Sequence, residues 1–161
     1  MDDIGLDNLL KKHQNIEANI LVFPHHGGVP GKNVDCRHFA LKLCNLVKPS
    51  LVVFSHGRNR HRNPRKDIME GVVLAAPNAH VMCTQLSKTC AAIVPLSDFD
   101  HLTNLPAAGS IDDSCCGGTI VIKLVGTKTQ YMPLLAAHRK FVMDDTKVPT
   151  PLCLKCKPID Y

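Results

Sequence analysis

The chain has 161 residues, 45% of them hydrophobic and 20% charged, with a formal net charge of +5. That length allows one ordinary domain or a piece of one, and that apolar content excludes a disordered chain. No run approaches the roughly 18 apolar residues of a membrane span, and Asp2 and Asp3 directly after Met1 do not fit the basic-then-apolar layout of a secretion signal. A cytoplasmic protein without membrane contact is expected. Against five Phe, two Tyr and no Trp stand eight Cys and nine His. In a reducing compartment this balance points to metal ligands or buried thiols rather than disulfides. The modest positive charge hints at an anionic partner, or serves solubility alone.

The first half reads as alternating helix and strand. Leu6, Leu9 and Leu10 give a helical spacing up to Lys12, and Asn19 to Phe23 form a short apolar strand closed by Pro24. Asp35 is the expected N-cap of a helix with apolar positions at Phe39, Leu43, Leu46 and Val47, ending before Pro49. Ser50 to Ser55 reads as a buried strand. Asn63 followed by Pro64 predicts a capped helix start, with Ile68, Val72 and Val73 facing inward, and His80 to Thr84 reads as a third strand. From residue 85 to 118 no period is sustained, so a Cys-rich, loop-rich insertion is predicted. Thr119 to Val125 is the best strand in the chain, with Lys128 to Leu135 as its partner. Residues 136–161 form a Cys- and Pro-containing tail with Cys153-x-x-Cys156, of which Val148 to Tyr161 is expected to be irregular, and 1–135 is the domain proper.

Two stretches carry chemistry. Pro24-His25-His26-Gly27-Gly28 follows directly on a buried strand. Histidines at the carboxyl end of a strand in an α/β layer face the crevice where ligands bind, and glycines let the backbone approach a metal or phosphate. A surface loop with an incidental histidine pair is the plain alternative. The second stretch, Ser55 to Lys66, holds His56, His61, Arg58, Arg60, Arg62, Arg65 and Lys66 at the end of the next strand. Its arginines suit phosphate oxygens, although a basic run is also commonly a solvated loop.

These blocks resemble the metallo-β-lactamase-fold hydrolases, in the ComEC-type branch found in DNA-uptake proteins. That branch has a Gly-Asp run leading into a helix, a strand ending in His-His-Gly-Ser, a strand ending in Ser-x-Gly-x-Asn, a His-Pro helix start and a strand ending in Thr. The matching stretches are Asp2-Asp3-Ile4-Gly5, Phe23 to Gly28, Ser55-His56-Gly57-Arg58-Asn59, Asn63-Pro64 and Val81 to Thr84. The resemblance covers roughly residues 1 to 84, with the strand from Thr119 as a last sheet element. It implies an α/β fold, the C-terminal half of an αββα sandwich. The expected activity is that of a metal-dependent hydrolase with zinc or manganese, whose bound hydroxide attacks a phosphodiester of nucleic acid or a nucleotide. His25 is the implied metal ligand, Asp3 or Asp2 the bridging carboxylate, His26 and His61 supporting groups, and Arg58, with Arg60 and Arg62, the phosphate holder.

The family's His-x-His/Asp-x-Asp-His loop occurs nowhere in the sequence. The resemblance therefore implies a half-fold completed by an N-terminal-half polypeptide or a second copy. Asn63 stands where the branch has His, and asparagine is a poor ligand for such metals and a good helix cap. The cysteines form a further set, Cys83, Cys90, Cys115, Cys116, Cys153 and Cys156 with His138, from which a structural zinc could draw four ligands. Inert buried thiols are the alternative there. Two other functions fit the same residues: an inactive, zinc-stabilised binding subunit, and a basic patch that binds DNA non-specifically.

Overall fold

The computed structural model describes residues 3–13, 15–58, 61–95, 99–126, 128–144 and 146–155. In chain order the elements are α1 (Asp3–Lys12), β1 (Ile20–Val22), α2 (Cys36–Val47), β2 (Leu51–Phe54), α3 (Lys66–Ala75), β3 (His80–Cys83), β4 (Val121–Val125), β5 (Lys128–Met132), α4 (Leu135–Met143) and α5 (Leu152–Lys155). They make two small sheets, one ordered β1-β2-β3 and one pairing β4 with β5. β1 and β2 are parallel, with Ile20 opposite Leu51 and Val22 opposite Val53. The contacts divide the chain into two compact units, residues 1–54, 63–81 and 152–161 in the first, and 55–62 and 82–151 in the second.

The mixed α/β order read from the sequence is present, with three differences. The strand from Thr119 does not extend the first sheet. It begins at Val121 and forms an antiparallel hairpin with Lys128–Met132 in the second unit. Asn63 and Pro64 lie before α3 rather than in its first turn, and Arg65 occupies the N-cap. The tail contains α4, for which no element is predicted, and the short α5 lies within Val148 to Tyr161, expected to be irregular. Helix formers in Leu135 to Met143, with His138, Phe141 and Val142 buried at positions i, i+3 and i+4, account for α4.

The first unit is built around β2, buried along its whole length. Phe23 lies 4.9 Å from Phe54 and meets Phe39 edge-on at 6.3 Å, ring centre to ring centre. α2 contributes Phe39, Ala40, Leu43, Cys44 and Val47 to this core, an i, i+1, i+4, i+5, i+8 stripe. Asp35 caps it as expected, its carboxylate accepting the His38 N–H at 3.0 Å. Burial pushes the Cys44 thiol up to about 12, which makes it an inert core group. Helices α2 and α3 cross at Gly71, where a Cβ would stand 2.4 Å from the Arg37 carbonyl and 2.8 Å from Ala40 Cβ.

Gly71→Ala is therefore expected to force the helices apart at a cost of about 2–3 kcal/mol, read as a lower urea midpoint at unchanged slope. A loss below about 0.5 kcal/mol, the range of ordinary surface changes, would show that the crossing is not tight. At the start of α3, Asp67 accepts from the Arg65 guanidinium at 2.7 Å and from the Ile68 N–H at 2.9 Å. The arginine hydrogen bond, chiefly, holds the Asp67 carboxyl below its ordinary value. A depressed folded pKa contributes stability above the unfolded value of about 3.9 and loses it as pH falls through the folded value. Asp67→Asn should thus lower stability at pH 7, by under about 1 kcal/mol for so exposed a pair. The difference from the unsubstituted protein should vanish in strong acid, and a pH-independent difference would mean that the carboxylate charge contributes nothing.

Candidate functional site

β1 ends at Val22, and the chain turns through Pro24–Gly27 with His25, His26 and Gly27 all in left-handed backbone, at φ 53°, 57° and 74°. For a residue with a side chain this conformation costs roughly 1–2 kcal/mol. Gly27 fixes the turn by close approach. A Cβ there would stand 2.7 Å from both Phe54 Cδ1 and Pro64 Cβ, and its carbonyl accepts the Arg65 N–H at 2.9 Å. Gly28 lies against the Asn63 amide, which a Cβ would approach to 3.2 Å. The His-His-Gly-Gly loop and the Asn63-Pro64 segment are therefore neighbours in the first unit, and both histidines are exposed.

The stretch after β2 belongs to the second unit. Arg58, the residue implied to hold phosphate, is instead buried at 5% exposure. Its guanidinium donates to the carbonyls of Leu86 (2.6 Å), Ala91 (2.7 Å) and Ala92 (3.0 Å), and its N–H donates to Gln85 Oε1 (2.5 Å). Burial lowers its pKa from the ordinary arginine value, while nearby Cys90 opposes that shift. Its fork is committed to backbone oxygens, so Arg58 secures the insertion. The His56 N–H donates to Thr84 Oγ1 at 3.0 Å, and that hydroxyl returns a hydrogen bond to the His56 carbonyl at 3.1 Å. His61 and Arg62 are exposed in the same unit, while Asn59 and Arg60 lie outside the described residues.

Cys83, at the end of β3, and Cys116 are drawn together by backbone. The Gly117 N–H donates to the Cys83 carbonyl at 2.7 Å, and the Cys116 and Gly118 N–H groups donate to Thr84 O. Gly117 is required at that approach, since a Cβ would stand 2.6 Å from Met82 Cγ. His138 of α4, 1% exposed, puts Nε2 3.2 Å from the Cys116 sulfur. A hydrogen bond from the Cys83 thiol, above all, and the positive field of His138 hold the Cys116 thiol well below its ordinary value against the opposing effect of burial. Cys115 faces Ser110 instead, Sγ to Oγ 3.9 Å, and burial raises its pKa. Cys90 is half-buried in the second unit and Cys153 half-buried in the first. Asp3 opens α1, with its side chain outside the described set, as are Asp2 and Cys156.

One residue with no spacing signal joins the sulfur cluster. His101 is 8% exposed, stacks on Phe141 with ring centres 4.2 Å apart, and lies 6.0 Å from the His138 ring. Its Nε2 donates to the Cys116 carbonyl at 2.6 Å, which leaves Nδ1 as a buried acceptor with no hydrogen-bond partner. It stands alone in the insertion, 11 residues after Cys90 and 14 before Cys115 by sequence number, so no ligand motif marks it.

Among the described residues no group of three or more His, Cys, Asp and Glu is already gathered as a metal site, and no helix is long and apolar enough to cross a membrane. Comparison with known proteins gave no match among family models, curated proteins or solved structures.

Removing the Arg58 fork would leave buried carbonyls without donors, each worth about 1–3 kcal/mol. Arg58→Met, which keeps the volume, should therefore cost at least about 3 kcal/mol in urea denaturation. Unchanged stability would mean that the guanidinium is available to a ligand after all.

Proposed function

We propose that the chain is the His-His-Gly-bearing part of a metal-dependent hydrolase of the metallo-β-lactamase superfamily, ComEC-type, acting on a phosphodiester of nucleic acid or a nucleotide in the cytoplasm. The observation that carries this reading is the turn after β1: two exposed histidines held in left-handed backbone at the carboxyl end of a strand that pairs in parallel with β2. Strain of that kind persists where the surroundings over-determine it, and it clusters at functional sites. Here the surroundings are Gly27 against Phe54 and Pro64.

The donors in this unit fit a transition-metal ion in part. His25 and His26 offer imidazoles, whereas a full set requires ligands beyond the described residues of this unit. The His-x-His/Asp-x-Asp-His loop that the resemblance calls for is not in the sequence, so the reading requires it from another segment or polypeptide. When bound, a zinc or manganese ion in such a centre lowers the pKa of its water and polarises the scissile group. His25 would bind the ion. His26, beside it, would face the substrate, and Gly27 and Gly28 would let a phosphate oxygen come close to backbone N–H groups. Asn63, packed on Gly28, would position the loop rather than ligate.

With bis-p-nitrophenyl phosphate and zinc or manganese, the chain alone should be inactive. Co-expression with a polypeptide that supplies the His-x-His loop should give turnover that falls at least about a hundredfold in His25→Ala. Calorimetric manganese titration of the co-expressed pair should lose a binding event in the same variant. Turnover and metal binding indifferent to His25→Ala would overturn the reading, and strong activity of the chain alone would remove the need for a second half.

A further inference from the structure

We infer that Cys83, Cys116, His138 and His101 form a structural zinc site inside the second unit, separate from the histidines after β1. All four belong to that unit, and none of Cys90, Cys115, Cys153 or Cys156 is needed. Zinc takes four N/S ligands in closed structural sites, and tetrahedral bonds of the usual length place a sulfur and a nitrogen ligand about 3.5 Å apart. Cys116 Sγ and His138 Nε2 stand at 3.2 Å. The Gly117 N–H, donated to the Cys83 carbonyl at 2.7 Å, keeps Cys83 beside Cys116.

His101 supplies the independent observation. A zinc-bound histidine almost always donates its other ring N–H to a carbonyl or carboxylate, which fixes its tautomer. His101 already does so, giving Nε2–H to the carbonyl of Cys116 and leaving Nδ1 buried as an acceptor with no hydrogen-bond partner. Two imidazoles on one zinc have ring centres about 5 Å apart. The observed 6.0 Å for His101 and His138 asks for a closing movement of about 1 Å, within reach of side-chain rotation. A cavity of about 240 Å³ has His101 in its lining, with Phe141 and the charged Asp100, Lys140, Asp144 and Lys147. Neither sulfur lines it, and Cys116 is 7% exposed, which suits a ligand better than a nucleophile that must meet a substrate.

The test is elemental analysis and cobalt substitution on the full chain. Expected are about one zinc per chain, lost in Cys116→Ser and His138→Gln, and retained in Cys90→Ser, Cys115→Ser, Cys153→Ser and His25→Ala. Because the first two variants could fail to fold, His101→Cys is the decisive companion. It should keep the metal and raise the thiolate-to-cobalt charge-transfer absorption by about half, since intensity follows the number of thiolates and three would replace two. Zinc that departs with Cys90 or Cys153, a cobalt spectrum unmoved by His101→Cys, absence of bound metal, or a Cys83–Cys116 disulfide in its place would each overturn the inference. Loss of the hydrolase reading at His25 would leave it standing.

Discussion

Strands of three to five residues leave much of a chain's backbone outside any ladder, and every buried N–H and C=O must still find a partner. This constraint governs the second unit most, where the described residues of 84–118 hold no element longer than the turn Ala108–Ser110. Arg58 meets it with one guanidinium spread over the carbonyls of Leu86, Ala91 and Ala92. Thr84 meets it again, its hydroxyl both accepting from and donating to the backbone of His56. A fixed fork with several donors suits this task better than a lysine ammonium, because the acceptors lie on two separate stretches of the loop and need defined directions.

Close backbone approach is the second device, and it relies on glycine at three places. Gly71 lets α3 lie on the backbone of α2, Gly27 lets the turn after β1 rest on Phe54, and Gly117 brings residues 116–118 onto the end of β3. In the last two cases the approach also aims chemistry. Gly27 holds His25 and His26 outward at a strand end, and Gly117 sets Cys116 beside Cys83. Their local roles differ. Gly27 needs both space and positive φ, whereas Gly71 and Gly117 need space alone.

Much of the first unit was legible in the sequence because its signals are local. The Asp35 cap, the apolar stripe of α2 and the runs that became β1, β2 and β3 depend on near neighbours along the chain. The failures are non-local. The strand from Thr119 finds the partner expected of it, Lys128–Met132, but nothing in its residues tells it to stay out of the first sheet. Arg58 sits among arginines in a polar loop and reads as solvent-facing, since the carbonyls that take it lie 28 to 34 residues further on. Ligand spacing marks Cys153-x-x-Cys156, whose second cysteine lies outside the described residues, while the groups that the chain brings to Cys116 come from Cys83, His101 and His138, far apart in sequence. The spacing of His138, Phe141 and Val142 is a local helical signal, and the structure places α4 there.

The two groups of histidines differ in the property that separates catalytic from structural metal chemistry. A catalytic centre keeps a coordination position open to water and substrate, and a structural one is closed by four protein ligands. His25 and His26 are exposed on a turn whose backbone is held by others, so an ion there would meet solvent on one side. His138 and His101 are packed against Phe141 and a sulfur, where a bound ion would find no room for substrate. The energetic logic runs in opposite directions as well. The turn carries strain that stability alone would remove, whereas the buried residues join β3 and α4 to the irregular segment that holds His101 and Cys116. There a closed metal site would add folding free energy directly, because the unfolded chain has no preformed site to offer. On the proposed readings, an exposed, strained pair and a buried, hydrogen-bonded set would answer different needs of one chain, the first positioning a reaction and the second holding an irregular loop in one conformation.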